Sequence, residues 1–175
     1  MTTYGDVLDR LIELGVAPAE RRQELTDAWI DTPVEEFDGG VFADLGVAVA
    51  VHGEDVDAVE PAYRGILEEA AALSGGSVVV TDVAFHFDEP GADQLTFNVN
   101  GRPTSWWLDA EGPDDDYLNP MAVWEQISCL NPPEGDPRRF FHVEKDQPGD
   151  DHYLLLTPEQ AGAVAAEFGI VLSEV

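Results

Sequence analysis

The chain has 175 residues, of which 44% are hydrophobic and 25% are charged, and this composition is typical of one globular domain with an apolar core. It contains 36 Asp and Glu residues but only 8 Lys and Arg residues, so the formal net charge is -28. Because affinity for phosphate groups comes from cationic side chains, this charge excludes direct nucleic-acid binding and opposes binding to an anionic membrane.

Sequence features also bear on the cellular compartment. The first residues lack the basic and apolar regions of a signal peptide. The longest aliphatic runs, residues 78–80 and 154–156, are far shorter than the roughly 18 residues of a membrane-spanning helix. Cys129 is the single cysteine and has no partner for an internal disulfide. We therefore expect a cytoplasmic protein.

The first half of the chain predicts helices around one buried strand. Thr3 and Asp6 form the pattern of a capping box, and the helix they begin ends at Gly15. A second helix from Pro18 to about Asp31 would complete an N-terminal helical hairpin. After a loop at residues 38–40, residues 45–51 predict a buried strand, and a third helix follows from about residue 57 to residue 73.

A strand and a hairpin are predicted next. Residues 79–88 alternate, with Val79, Thr81, Val83, Phe85 and Phe87 on the core face and Asp82, His86 and Asp88 on the other. Asn100-Gly101 is a strong turn signal between two further strands. This turn pairs Leu95 with Trp106, so Trp106 faces the core, Trp107 faces outward with Thr96, Asn98 and Ser105, and Pro103 indicates an edge strand.

The remaining residues complete an α+β pattern. A loop at residues 110–117 precedes a helix that Asn119 caps, with Val123, Trp124 and Ile127 as its apolar positions. Strands at residues 139–143 and 153–156 follow, and then a helix from Thr157 to about Gly169 and a short strand at residues 170–172. We predict a single α+β domain over residues 1–175, with a mainly antiparallel sheet flanked by about five helices.

Catalytic motifs are missing from the sequence. It has no G-x-S-x-G elbow, no phosphate loop, no H-E-x-x-H and no C-x-x-C, and Cys129 lies among apolar residues as a core side chain would. We therefore expect no enzyme and no cofactor, although a site built from scattered carboxylates would leave no motif.

Histidines and aspartates raise the question of metal binding. His142 and His152 would face each other across a hairpin centred on residue 147, with Glu144 nearby, and His86 lies among acidic residues. The Asp-rich loop lacks the spacing of a calcium-binding EF-hand. Surface histidines beside acids explain the pattern more simply, so we expect no metal site.

An outward tryptophan beside an acidic loop predicts a protein-binding surface. Large aromatic side chains on a polar surface are enriched as binding anchors, although a helix packed over this face would equally explain Trp107. Carboxylates around such an anchor suit a basic partner. The predicted contact residues are Trp107, Asp109, Glu111, Asp114, Asp115, Asp116 and Tyr117, with Glu144, Asp146, Asp150 and Asp151 as a second group.

In size, acidity and lack of catalytic motifs, the chain resembles the small immunity proteins of bacterial polymorphic toxin systems. This class contains unrelated folds, so the resemblance implies a mechanism and no particular residues: a negative surface covers the basic cleft of a toxin or another effector that acts on nucleic acid. Two alternatives stay open. The chain could mimic nucleic acid toward many basic proteins, or its charge could be an adaptation to concentrated salt, with the function in an unseen pocket.

Overall fold

The computed structural model describes residues 2–25, 27–53, 59–88, 92–108, 118–146 and 148–175. These residues form an α+β fold, as predicted, but with two antiparallel sheets in place of one. The helices are α1 (Tyr4–Glu13), α2 (Arg21–Glu24), α3 (Asp27–Ile30), α4 (Gly39–Asp44), α5 (Val59–Leu73), α6 (Pro120–Gln126) with a 3₁₀ helix at Ile127–Leu130, and α7 (Pro158–Phe168). The strands are β1 (Ala48–Val51), β2 (Val80–Asp88), β3 (Ala92–Val99), β4 (Arg102–Trp107), β5 (Arg139–Val143), β6 (Asp151–Leu156) and β7 (Leu172–Glu174).

Side-chain caps begin several helices where the sequence predicts them. Thr3 with Asp6 and Thr157 with Gln160 form complete capping boxes at α1 and α7. The Asn119 side chain accepts hydrogen bonds from the first backbone N–H groups of α6. The proposed cap of α5 at residue 57 lies outside the described residues.

Two N-terminal predictions need correction. The second arm of the helical hairpin is divided into the short helices α2 and α3. The loop expected at residues 38–40 begins α4, because the Asp38 carboxylate accepts a hydrogen bond from Gly40 N at 2.9 Å. Val41, Phe42 and Leu45 then lie on one helical face and are buried, so the apolar run forms a helix before β1 begins at Ala48.

The larger sheet has the order β1-β6-β5-β7 and separates two apolar cores. Phe140, Tyr153 and Leu155 face the core that includes α5, α6 and the smaller sheet. Phe141 and Leu154 face the core that includes α1, α4 and α7. Burial on both faces explains the nearly continuous apolar sequence of β6. This strand begins at Asp151, two residues before the predicted start, and β7 lies two residues beyond its predicted position.

The smaller sheet has the order β2-β3-β4, and its predicted hairpin register is confirmed. Val99 pairs with Arg102 and Leu95 with Trp106, around a turn in which Asn100 and Gly101 both have positive φ. β4, which contains Pro103, is an edge strand of this sheet.

A β-bulge changes the predicted faces of β2. The register shifts between Thr81 and Ala84, and Asp82 has a φ of 56°. The extra residue reverses the alternation, so Val80 packs against the core while Val79 is 52% exposed. Placing Val79 and Thr81 on the core face was therefore wrong, whereas Val83 and Phe85 do pack against the core.

Candidate protein docking surface

Trp107 lies on the outward face of the three-stranded sheet, as the hairpin register predicts. It pairs with Gln94 on β3, and Gln94 pairs in turn with His86 on β2. A parallel row contains Ser105 and Thr96. We call the surface formed by His86, Gln94, Thr96, Asn98, Ser105 and Trp107 the outer sheet face.

Polar side chains on the outer sheet face bond to one another. The Asn98 amide donates to the Asp82 carboxylate at 2.7 Å, and His86 Nε2 lies 2.8 Å from the Thr96 hydroxyl. The strained backbone of Asp82 thus places its carboxylate beside β3. Among the side chains that the structure describes on this polar surface, Trp107 is the large apolar one.

The sequence left two explanations of Trp107 open, an exposed aromatic side chain and a helix packed over this face, and its exposed fraction distinguishes them. The residue is 54% exposed, whereas the neighbouring Trp106 is 1% exposed and packs edge-to-face on Phe97. A helix packed over this face would bury the indole, so no helix of the described residues covers Trp107.

Helix α6 is fastened beside the end of β4. The Gln126 side chain accepts a hydrogen bond from Trp107 N at 3.0 Å and donates to Trp107 O at 2.9 Å, as a neighbouring strand would. The Asn119 amide donates to Leu108 O at 3.0 Å. Side chains at both ends of α6 therefore hold the backbone of Trp107 and of the next residue, Leu108.

Two further apolar residues on α6 are exposed. Met121 is 58% exposed and Trp124 is 46% exposed, three residues apart and therefore on one side of the helix. Placing Trp124 on the apolar stripe of this helix was wrong, because Ala122, Val123 and Ile127 supply the buried side. The sequence did not predict the exposure of Met121, since a methionine near a helix start is more often a core residue.

The first acidic group of predicted contact residues lies outside the described residues. It comprises Asp109, Glu111, Asp114, Asp115, Asp116 and Tyr117. The described residues on either side, Leu108 and Leu118, are both buried.

The second group lies at the end of the larger sheet. Glu144, Asp146 and Asp150 line a groove of about 410 Å³ together with Glu36 and Asp38. Asp151 is held differently, because its carboxylate lies 2.9 Å from His142 Nε2 and 2.8 Å from Lys145 Nζ. These two partners hold the pKa of Asp151 below its ordinary value.

The paired-histidine arrangement considered for metal binding is not formed. His142 pairs with Tyr153, so His152 points to the opposite face of the sheet. Burial lowers the pKa of His152. In the part of the chain that the structure describes, no group of three or more His, Cys, Asp or Glu side chains could hold a metal ion.

Cys129 is more exposed than the sequence predicts. It lies in the 3₁₀ helix, and its sulfur accepts a hydrogen bond from Trp106 Nε1 at 3.2 Å. Placing the residue in the core was wrong, but partial burial of its thiol still raises the thiol pKa. A raised pKa disfavours the reactive thiolate.

No helix in the described ranges is long and apolar enough to cross a membrane. Comparison with protein-family models, with curated proteins and with solved structures finds no match to this chain.

Proposed function

We propose that this protein is an acidic protein-binding module, an immunity protein or inhibitor that blocks the basic cleft of a toxin or of another effector that acts on nucleic acid. The observation that carries the proposal is the exposed Trp107 indole on the outer sheet face of a chain with a net charge of -28. The proposal assigns binding and inhibition to the chain, and no catalysis.

Rigidity supports the role of Trp107 as an anchor. The Gln126 side chain bonds both backbone groups of Trp107, so the indole is presented from a fixed main chain. A pre-organised aromatic side chain loses little conformational entropy when a partner buries it. Trp residues are also enriched among the few interface residues that contribute most of the binding energy.

Charge around the anchor supports a basic partner. The Asp82 carboxylate lies beside the outer sheet face, where Asn98 bonds to it, and the segment that begins two residues after Trp107 in the sequence contains five acidic residues, Asp109, Glu111, Asp114, Asp115 and Asp116. Surface carboxylates raise the association rate with a cationic protein by steering its approach. The same carboxylates would repel nucleic acid but attract the cationic cleft with which an effector binds it, so the proposed partner is such an effector.

The groove at the other sheet offers a second acidic contact region. Glu144 and Asp146 are exposed there, and Asp150 is partly exposed. Carboxylates spread over two regions are also what a general mimic of nucleic acid would present, and such a mimic would bind many basic proteins. The two functions therefore differ in how many partners bind and in the dependence of binding on Trp107.

The test is a tagged pull-down from native lysate at about 0.1 M and about 0.5 M salt, with every retained protein identified. Salt at the higher concentration screens long-range attraction but leaves a packed interface largely intact. A dedicated inhibitor retains one basic partner, in one-to-one stoichiometry, at both salt concentrations. Many basic proteins that are lost at the higher concentration would favour the mimic and overturn the proposal.

Trp107→Ala and Trp29→Ala form the matched pair of variants. Trp29 is 44% exposed but lies on α3, where it packs edge-to-face on Tyr4. We expect Trp107→Ala to weaken partner binding by about 2 kcal/mol or more, and Trp29→Ala to leave it unchanged. Equal effects of the two substitutions would contradict an anchor on the outer sheet face. Thermal unfolding of both variants checks that each is folded.

A further inference from the structure

A shallow groove of about 440 Å³ lies on the smaller sheet, next to the position of Trp107. Among the residues that line it are Asp82, Gln94, Thr96, Asn98, Pro103 and Ser105. Gln94 pairs with Trp107, whereas Asp82 bonds to Asn98, which is four residues further along β3. At the usual rise of a strand, the two ends of the groove are about 14 Å apart. The groove therefore leads from the tryptophan to one carboxylate.

Asp82 is held at the groove in an unfavourable backbone conformation. Its φ of 56° lies in the left-handed region, at the bulge between Thr81 and Ala84. This conformation costs aspartate more than glycine, and such strain is concentrated at functional sites. Hydrogen bonds from the Thr81 hydroxyl at 3.0 Å and from the Asn98 amide at 2.7 Å fix the direction of the carboxylate.

Two acceptor oxygens at Asp82 and Asn98 are available to a ligand. Both hydrogen bonds to the Asp82 carboxylate reach Oδ2, so within the described residues Oδ1 accepts none. Because a carboxylate only accepts, Asn98 turns its NH₂ group toward Asp82, and its side-chain oxygen also accepts no bond from that part of the chain. Asp82 is exposed and Asn98 is partly exposed. Two neighbouring acceptors, one of them charged, suit a cation with several N–H groups.

Charge and shape favour an arginine side chain as that cation. None of the lining residues that the structure describes is Lys or Arg, and Arg102 on β4 pairs with Val99 on the opposite face of the sheet. The exposed ring of Pro103, which pairs with Asn98, offers apolar surface to the aliphatic part of a long side chain. A guanidinium is planar and donates two parallel hydrogen bonds, whereas an ammonium group is a compact point charge.

We propose that the groove binds an arginine side chain of the basic partner, with its guanidinium on the Asp82 carboxylate and the Asn98 side-chain oxygen. This inference rests on the proposed inhibitor function, because it names the partner group that docks beside Trp107. An interface of ordinary size covers about 800 Å² of each protein, so one partner reaches both ends of the groove. Asp82 then stands in for a phosphate of nucleic acid and contributes specificity, while Trp107 contributes apolar contact.

Asp82→Asn removes the charge and keeps the local structure. Asparagine, like aspartate, is enriched at positive φ, and its side-chain oxygen can still accept from the Asn98 amide. Asp31→Asn is the matched control, because Asp31 is an exposed aspartate that does not line the groove. Unchanged thermal unfolding of both variants checks that they are folded.

The first measurement uses the partner that the pull-down retains. At about 0.5 M salt, where general attraction is screened, we expect Asp82→Asn to bind this partner about tenfold or more weakly than Asp31→Asn does. Alanine substitution of the partner's arginines should find one whose effect disappears in the Asp82→Asn background. Equal binding by the two variants overturns the arginine contact, whereas a loss of binding in Trp107→Ala would still support the inhibitor function.

The second measurement needs no partner and so separates the two proposals. The isotope-labelled chain is titrated with N-acetyl-arginine methylamide at about 0.5 M salt and followed by NMR. We expect a saturable shift of the Asn98 side-chain amide resonance, a smaller shift with the lysine derivative, and no shift in Asp82→Asn. A pull-down without any partner would contradict the inhibitor function, and the titration would still test the groove. Equal shifts in the native chain and Asp82→Asn overturn the arginine site.

Discussion

The His152 ring packs directly on the backbone of Gly39, at the first residue of α4. A Cβ built on Gly39 would lie 2.4 Å from Cγ and Nδ1 of the ring and 2.5 Å from His152 Cβ. These atoms belong to the base of the side chain, which cannot swing away as a flexible tip could. Gly39 is therefore required by close packing between α4 and β6, in addition to its place after the Asp38 cap.

Gly39→Ala should reduce stability through this contact. Inserting a methyl group into a packed site costs about 1 to 3 kcal/mol, because the helix and the strand must move apart. The measurement is the free energy of unfolding from chemical denaturation. In a His152→Gly background the same substitution should cost much less, since His152→Gly removes the ring and also the Cβ that lies 2.5 Å from the added methyl group. An equal cost in both backgrounds would show that another contact of Gly39 is responsible.

Stability should fall in two steps as the pH is lowered. Burial lowers the pKa of His152, so the folded state disfavours its charged form, and this contribution is present above the ordinary value of 6.5 and is lost below it. The His142 and Lys145 side chains lower the pKa of Asp151, so that contribution is present above 3.8 and is lost as the pH falls further.

The variant His152→Gln separates these two steps. The decrease in melting temperature between pH 7 and pH 5 should become smaller in this variant, while the decrease below pH 4 stays. His86→Gln is the control, because His86 is exposed on the outer sheet face. A pH profile of His152→Gln identical to that of the native chain would contradict the assignment to His152.

Asn100→Ala should destabilise the hairpin by about 1 to 2 kcal/mol. Asn100 has a φ of 51°, its side chain accepts from Val79 N at 2.9 Å, and it donates to Ser77 O at 3.1 Å. Alanine loses both bonds and tolerates this backbone conformation poorly. Asn100→Gly tolerates the positive φ but loses the two side-chain hydrogen bonds. The free energies of unfolding of the two variants, from chemical denaturation, therefore separate the contribution of the backbone conformation from that of the hydrogen bonds. Identical stability of the native chain and Asn100→Ala would contradict the role of this residue.

The chain should unfold cooperatively at about 0.1 M salt. The proposed inhibitor needs a folded negative surface at a salt concentration where electrostatic steering still operates. The salt-adapted alternative predicts the opposite, because self-repulsion at a net charge of -28 would be unscreened. Melting curves at about 0.1 M and about 1 M salt distinguish them. Folding only at the higher concentration would overturn the inhibitor proposal.

Trp107 shows how far the candidate site follows from the sequence. Its outward direction was predicted, because the Asn100-Gly101 turn sets the register of its strand. Its exposure was not predicted, since a helix could have covered the same face. The exposure of Met121 and the two bonds from Gln126 depend on how α6 packs beside β4.

Local chemistry in the sequence determined the caps at Thr3, Asn119 and Thr157 and the register around Asn100-Gly101, because each depends on residues close together along the chain. Only the tertiary structure decided the bulge at Asp82, the groove that Asp82 lines, the division into two sheets and the pairing of His142 with Tyr153. These features depend on contacts between distant residues. A shift of one residue in register leaves the local pattern unchanged but turns a side chain to the other face of the sheet, and burial in the assembled core selects between the two.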